Sequence, residues 1–134
     1  NHVHLVLRTP EPDLSAGMAY LTGVYARCFN DRHRKRGTPF HGRFRGFVIE
    51  REGHLEEALR YVVLNPVRAG LVGTPGEWTW SSYRATAGLE VRPRWLAVGP
   101  AHQPFAGDAV AYGDFVMGAI TKRTPDWHGT GRAF

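Results

Sequence analysis

Two histidines, His2 and His4, stand one residue apart in the opening segment NHVHLVLRTP. A β-strand turns successive side chains to opposite faces, so in a strand the two imidazoles lie side by side while Val3 and Leu5 point away. Such a pair can hold a metal ion or contact a phosphate, but it is also common as an exposed polar face. The rest of the chain decides between these uses.

A tyrosine and an asparagine with helical spacing occur in a second segment, HLEEALRYVVLNP. The pattern predicts a helix on which Leu55, Leu59 and Val62 share an apolar face. Residues four apart lie one above the other on a helix, so Tyr61 and Asn65 project from the same side, at the edge of that face. If the helix covers the histidine strand, two imidazoles, an amide oxygen and a phenol surround one small volume.

These groups suit chemistry at a phosphodiester. A divalent cation held by neutral imidazoles and an oxygen ligand keeps open positions for phosphate oxygens, and it polarises the phosphorus toward an in-line nucleophile. A phenol, whose ordinary pKa is about 10, attacks at neutral pH when a cation or a base lies nearby. Tyr61 is the candidate nucleophile.

Each of these residues also has a structural interpretation. Tyr61 would place its ring on the core and its hydroxyl in water, as helix tyrosines commonly do. Asn65 precedes Pro66 and would cap a short helix that opens at the proline and runs through Ala69. His54 lies on the Tyr61 side of the helix, where we expect a solvated or capping residue rather than a base.

The elements that must position these groups alternate between strands and helices. Apolar residues at three- and four-residue steps predict a first helix, capped by Asp13 or Ser15 and ending near Asn30. The segment RFRGFVIER predicts a second strand, and a last helix is expected over about 108–120. We therefore expect an α+β domain with an antiparallel β-sheet and helices packed on one face. The core should include Met18, Leu21 and Phe29.

Composition limits the class of protein and of partner. The chain has 134 residues, a formal net charge of +5 and a sequence pI of about 9.9. One compact domain with a polyanionic partner, above all nucleic acid, is therefore expected. The single cysteine, Cys28, excludes an internal disulfide and a cysteine-built zinc site, which favours a reducing cytoplasm. No apolar run approaches the roughly 20 residues that cross a bilayer, so no membrane association is expected.

Basic residues concentrate in the segment DRHRKRGTPFHGRFRG. Their density beside Phe40 and Phe44 suits a groove that follows phosphates and stacks unpaired bases, whereas the simpler alternative is a solvated charged face. Arg68 follows Pro66 close to the proposed site, where it would either contact a phosphate or lie on the surface. The candidate DNA-binding residues are Arg32, Arg34, Lys35, Arg36, Arg43, Arg45 and Arg68.

Aromatic residues cluster again in GEWTWSSYR. Trp78, Trp80 and Tyr83 could stack on bases, but packing in the core or in a hairpin is the commoner use of such residues. We expect packing here, with Ser81 or Ser82 as a helix cap.

Several segments, taken in order, resemble one protein family. The His2-Val3-His4 motif resembles the histidine-hydrophobic-histidine motif of the HUH endonucleases. The segments NHVHLVLRTP, YARCFNDRH, GTPFHGRFRG, LRYVVLNPVRAGLV and WTWSSYRATAG resemble the REP-associated single-tyrosine transposases over residues 1–88. Farther along, RWL and AYGDFV resemble the C-terminal part of those proteins more weakly.

The resemblance implies a transposase and endonuclease that acts on single-stranded DNA, often folded into REP-like hairpins, in the cytoplasm and at the nucleoid of a bacterium. It implies the ferredoxin-like sheet of the HUH fold, with Mg²⁺ or Mn²⁺ bound by His2, His4 and, as third ligand, Asn65. It also implies that Tyr61 attacks the phosphate, keeps a 5′-phosphotyrosine link and releases a 3′-hydroxyl that can reverse the reaction. Family members occur as monomers and as homodimers.

The family sheet normally includes a strand and a helix ahead of the histidine strand. This chain begins without methionine inside a strand-like pattern, so we expect an N-terminal truncation in which that first strand and helix are missing. Residues 1–88 are expected to form the catalytic domain, and residues 89–134 a C-terminal extension packed on it, with a flexible tail. Two other hypotheses stay open: a non-catalytic nucleic-acid-binding protein, domesticated or truncated, and a purely structural metal site.

Overall fold

Helices dominate the architecture of the protein. The computed structural model describes residues 2–120, and about half of them are helical. The α-helices are α1 (Leu14–His33), α2 (Glu52–Arg68), α3 (Tyr83–Thr86), α4 (Gly99–His102) and α5 (Ala109–Met117), with short 3-10 turns at Pro75–Glu77 and Gln103–Phe105.

The predicted antiparallel β-sheet is wrong for the described part of the chain. Within residues 2–120 no strand forms, and Phe47 contributes a single isolated bridge. A strand needs a partner for its backbone N–H and C=O groups and a surface for its apolar face. Within residues 2–120 neither the histidine segment nor RFRGFVIER extends into a strand, and Val3, which should face away from the histidines, is 68% exposed. The core is built by helices instead.

The chain divides into two compact units. In the described range, the first unit comprises residues 2–6 and 48–120, and the second comprises residues 7–47. The predicted boundary between a catalytic domain at 1–88 and an extension at 89–134 stays a prediction, and the tail from residue 124 lies outside the described residues. No helix among the described residues is long and apolar enough to cross a bilayer.

The core of the first unit joins α2, α3 and α5. Leu64 from α2 and Tyr112 and Val116 from α5 are almost fully buried, and Tyr83 from α3 packs in the same cluster. The side chain of Asp108 caps α5, because it accepts hydrogen bonds from the N–H groups of the helix's first turn at 2.7 and 3.3 Å. The helix predicted over about 108–120 is thereby confirmed.

Helix α2 runs through Pro66, whereas the sequence predicted an interruption there. Proline lacks an N–H and costs a helix one hydrogen bond. Here it lies in the last turn, so the loss is confined to the helix end. The N–H of Ala69 still donates to the carbonyl of Asn65 at 2.9 Å, and that of Leu71 donates to the carbonyl of Pro66 at 3.0 Å.

Helix α1 makes up about half of the second unit, and its predicted position is confirmed. It begins after Asp13, whose side chain makes no capping hydrogen bond, and it ends at Arg34, which adopts the left-handed conformation with φ of 50°. None of its twenty residues is buried. The predicted burial of Met18, Leu21 and Phe29 in a core is therefore wrong: Leu21 is exposed and the other two are partly buried.

Candidate active site

The two histidines of the opening segment meet without a sheet to hold them. Their Nε2 atoms lie 3.0 Å apart, and the rings meet edge to face with centroids 4.8 Å apart. His4 is partly buried. Burial, and secondarily the neighbouring His2, hold the pKa of His4 below its ordinary value. His4 is consequently neutral at pH 7, which is the form that can bind a metal ion.

Helix α2 brings the predicted nucleophile to this pair. The rings of His4 and Tyr61 meet edge to face, with centroids 5.1 Å apart and an angle of 78° between their planes. Val63 and Leu64, two and three residues after Tyr61 on α2, are buried in the core, and their burial fixes the rotation of the helix about its axis. Tyr61 therefore lies on a flank of α2 that is only partly buried, next to the imidazole.

An arginine contacts the same tyrosine. Arg68 lies two turns beyond Tyr61 on α2, and its guanidinium carbon is 5.4 Å from the centre of the phenol ring. A cation at this distance is attracted to the face of the ring. The ring thus has contacts with both His4 and Arg68, a neutral imidazole and a permanent positive charge.

The third predicted ligand is less well placed. Asn65 lies inside α2 and is partly buried, so it does not cap a new helix as the structural alternative supposed. No hydrogen bond from its side chain to either imidazole occurs in the described structure. Nor do any three His, Cys, Asp or Glu residues within 2–120 gather as a metal site. The role of Asn65 stays a prediction.

The donor geometry of the histidine pair fits a metal ion. Metal–nitrogen bonds of about 2.1 Å at a right angle separate two donor nitrogens by about 3.0 Å, which matches the distance between the Nε2 atoms. The same distance also fits a hydrogen bond between one protonated and one unprotonated nitrogen. Two donors leave most of a coordination shell to water and to oxygen ligands.

The predicted DNA-binding residues are divided between the two units. Arg68 belongs to the first unit, with the histidines and Tyr61. All the others lie in the second unit, where they are exposed. These residues are Arg32, Arg34, Lys35, Arg36, Arg43 and Arg45.

The other sequence candidates differ in their burial. Tyr83 is buried in the core, as predicted, and burial followed by the charge of Asp114 raises its pKa. Its backbone N–H donates to the hydroxyl of Ser81 at 3.1 Å. Trp80, however, is 84% exposed, so the prediction that it packs is wrong. His54 is partly buried on α2.

Sequence reasoning missed a groove on the second unit. It is an open cavity of about 210 Å³ lined by Tyr25, Cys28, Phe29, Arg32 and His33, and we call it the aromatic groove. All five residues follow one another at three- and four-residue steps or as direct neighbours on α1. The signal that could have revealed it is the mixture of aromatic and basic residues on what was taken as a purely apolar helix face.

Comparison with known proteins gives a distant similarity. A curated protein of Haemophilus influenzae named "Putative REP-associated tyrosine transposase" is 30% identical to the chain over 105 residues. The aligned residues make up 69% of this chain and 59% of the relative, so the chain spans less than two thirds of the relative's length. No family model and no solved structure matches the chain. The similarity agrees, at a distant level, with the family resemblance of the sequence segments.

Proposed function

We propose that the chain carries the strand-transfer site of a transposase that cleaves and rejoins single-stranded DNA through Tyr61. The observation that supports this most is that His4 contacts both His2 and Tyr61. His4 and Tyr61 are more than fifty positions apart in the sequence. A metal-binding pair beside a phenol is the minimal equipment for attack on a phosphodiester.

The proposed step exchanges one phosphate ester for another. The phenol oxygen of Tyr61 attacks the phosphorus, and the bond from phosphorus to the 3′ oxygen of the preceding nucleotide breaks. The strand stays attached through a 5′-phosphotyrosine, and the released 3′ oxygen takes up a proton in place of the one lost by the phenol. Attack by a 3′-hydroxyl on the phosphotyrosine reverses the step and rejoins the DNA.

The histidine pair would hold a divalent ion, Mg²⁺ or Mn²⁺, through its Nε2 atoms, with the amide oxygen of Asn65 as a further ligand. Such an ion supplies charge that polarises the phosphate. The protein's own part is to keep His4 neutral and to fix the Tyr61 ring. Arg68 provides a lasting positive charge where the phosphate must approach the phenol.

Binding of the strand would depend on the exposed basic residues of the second unit together with Arg68. Each phosphate contact releases counterions, so affinity should fall steeply as salt rises. Single-stranded DNA and DNA hairpins are the proposed partners, because a metal-assisted attack needs a backbone free to enter a shallow site. The protein would act on the bacterial chromosome, as a monomer or a homodimer.

A covalent adduct tests this function. A labelled single-stranded hairpin oligonucleotide is incubated with the protein, with and without Mn²⁺, and resolved on a denaturing gel. We expect a protein–DNA adduct that needs the metal and disappears in Tyr61→Phe, while Tyr20→Phe, which changes an exposed tyrosine of α1, retains it.

Two other results would redirect the assignment. Salt-sensitive binding without any adduct would indicate a nucleic-acid-binding protein that does not cleave. A chelator that lowers the melting temperature, with no reaction in any condition, would indicate a structural metal site.

A further inference from the structure

The aromatic groove presents flat rings on one face of α1. Tyr25 and Phe29 are nearly parallel, with ring centroids 6.0 Å apart and 20° between their planes. Phe29 also contacts His33, with centroids 4.5 Å apart, and Phe40 approaches Tyr25 at 5.5 Å. Tyr25 remains 53% exposed. Exposed rings of this kind offer surfaces on which a further planar group can stack.

A turn over residues 34–37, held to Asn30 by two hydrogen bonds and called the pinned turn, places positive charge beside these rings. After α1 ends, the N–H of Lys35 donates to the carbonyl of Asn30 at 3.0 Å, and the side-chain amide of Asn30 donates to the carbonyl of Gly37 at 2.7 Å. Gly37 adopts a φ of 89°, which a side chain would disfavour. The turn is thereby folded back, and the ammonium nitrogen of Lys35 lies 5.9 Å from the centre of the Phe29 ring.

The charge around the aromatic groove is strongly one-sided. Arg32 lines it, and the turn after α1 adds further cations, whereas Asp31 is the only acid among residues 31–46. A second copy of the chain would bring a like-charged surface to the groove, and an apolar segment would leave these cations unpaired. The groove therefore matches a partner that is both aromatic and anionic. The cations of the turn are Arg34, Lys35 and Arg36.

The size of the aromatic groove restricts that partner further. Sites for drug-sized molecules enclose roughly 300–1,000 Å³, whereas this groove is open and measures about 210 Å³. A single heterocyclic ring fits such a space, with its attached phosphate lying outside among the cations.

We infer that the aromatic groove binds one unpaired nucleotide of a DNA strand, with the base against Tyr25 and Phe29 and its phosphate beside Arg32 and Lys35. This rests on the proposed function for DNA as the partner, but not on cleavage. The groove would select unpaired strands, because a base inside a duplex cannot reach the rings without leaving its stack.

The single cysteine of the chain provides a direct reporter. Cys28 is exposed and lines the aromatic groove, so a thiol reagent modifies the protein at this position alone. The rate of its alkylation by N-ethylmaleimide is measured with EDTA present, so that no cleavage occurs, with and without saturating twelve-residue oligo(dT). We expect the strand to slow alkylation at least about tenfold, and a blunt duplex of equal length to slow it much less.

Two outcomes of this experiment would overturn the inference. One is an unchanged alkylation rate while fluorescence anisotropy shows that oligo(dT) is bound. The other is a rate that falls with rising protein concentration in the absence of DNA, since that would show a second copy covering the groove.

Affinity measurements separate stacking from simple charge attraction. Stacking on an aromatic side chain contributes about 1–3 kcal/mol per base, or roughly 5- to 150-fold in affinity. Tyr25→Leu, which keeps an apolar side chain but loses the ring, should raise the Kd for oligo(dT) within that range without changing its dependence on salt. Lys35→Gln should reduce the salt slope by about one unit.

Tyr20→Leu is the matched control, because Tyr20 is an exposed tyrosine of α1 that does not line the aromatic groove. Equal effects of Tyr20→Leu and Tyr25→Leu, or no effect of either, would contradict the inference. Circular dichroism of each variant verifies that α1 is retained. Cys28 protection without a covalent adduct would overturn the proposed cleavage and leave the groove intact, whereas an adduct without protection would do the reverse.

Discussion

The two units of the molecule stabilise their functional residues in different ways. In the first unit, α2 is anchored by buried Leu64 against α5, and this helix carries Tyr61 at a fixed rotation. In the second unit, α1 has twenty residues and none is buried. Positions with few buried contacts open locally at low cost, whereas core positions do not. The proposed chemistry, which needs fixed geometry, belongs to the first unit, and the proposed strand-binding surface, which must adapt, belongs to the second.

Truncating one leucine in each unit should give the largest difference between the units, measured as the loss of unfolding free energy. Leu64→Ala removes a fully buried side chain and should lower the free energy of unfolding by about 2–5 kcal/mol. Leu21→Ala makes the same chemical change on α1, where the side chain is 51% exposed, and should stay within about 0.5 kcal/mol of wild type. Urea unfolding followed by circular dichroism measures both. Similar losses in the two variants would remove the distinction between the units.

Histidine truncation sharpens the comparison at the level of chemistry. His4→Ala removes both a proposed metal donor and the ring that contacts Tyr61, so adduct formation should fall about 100-fold or more. Binding of single-stranded DNA should stay near wild type, because His4→Ala leaves all of the proposed DNA-binding cations in place. His41→Ala, at an exposed histidine of the second unit, is the control and should form adduct at the wild-type rate. A loss of binding in His4→Ala equal to its loss of reaction would place His4 in DNA binding instead.

The smallest expected difference between the units is in how the free energy of unfolding declines at alkaline pH. Burial raises the pKa of Tyr112 well above its ordinary value of about 10. Its stabilising contribution is complete below about pH 10 and is lost as pH rises toward the folded-state pKa, because the unfolded chain releases the proton first. Tyr112→Phe should therefore show a weaker decline of unfolding free energy above pH 10 than wild type. Tyr20→Phe, at an exposed position, should decline as wild type does, and an unchanged slope in Tyr112→Phe would refute the explanation.

Helices were predictable from the sequence, and strands were not. Hydrophobic spacing of 3.6 residues is local information, and it located α1, α2 and α5 to within a few residues. A strand depends on a partner elsewhere in the chain, which alternation alone does not supply. The segment holding Val3 and Leu5 has the alternating pattern, yet both side chains are exposed and no ladder forms within the described residues. Pro66 was also misjudged, because a proline in the last turn costs a helix little.

Contacts among the predicted site residues formed although the predicted sheet did not. His2 and His4 are only two residues apart, so their imidazoles meet although no strand forms within the described residues. The approach of Tyr61 to His4 followed from the family resemblance and could not be derived from periodicity, because it joins distant parts of the chain. The aromatic groove escaped notice because Phe29 was assigned to a core that α1 does not form.

The position of the covalent link tests the central claim most directly. The adduct formed with Mn²⁺ is trimmed with nuclease, digested with trypsin and mapped by mass spectrometry. Cleavage after arginine releases Tyr61 in YVVLNPVR, residues 61–68, or in the longer product 52–68, and each holds one tyrosine. We expect the nucleotide mass on this peptide. A nucleotide attached to any other tyrosine of the chain would contradict the account.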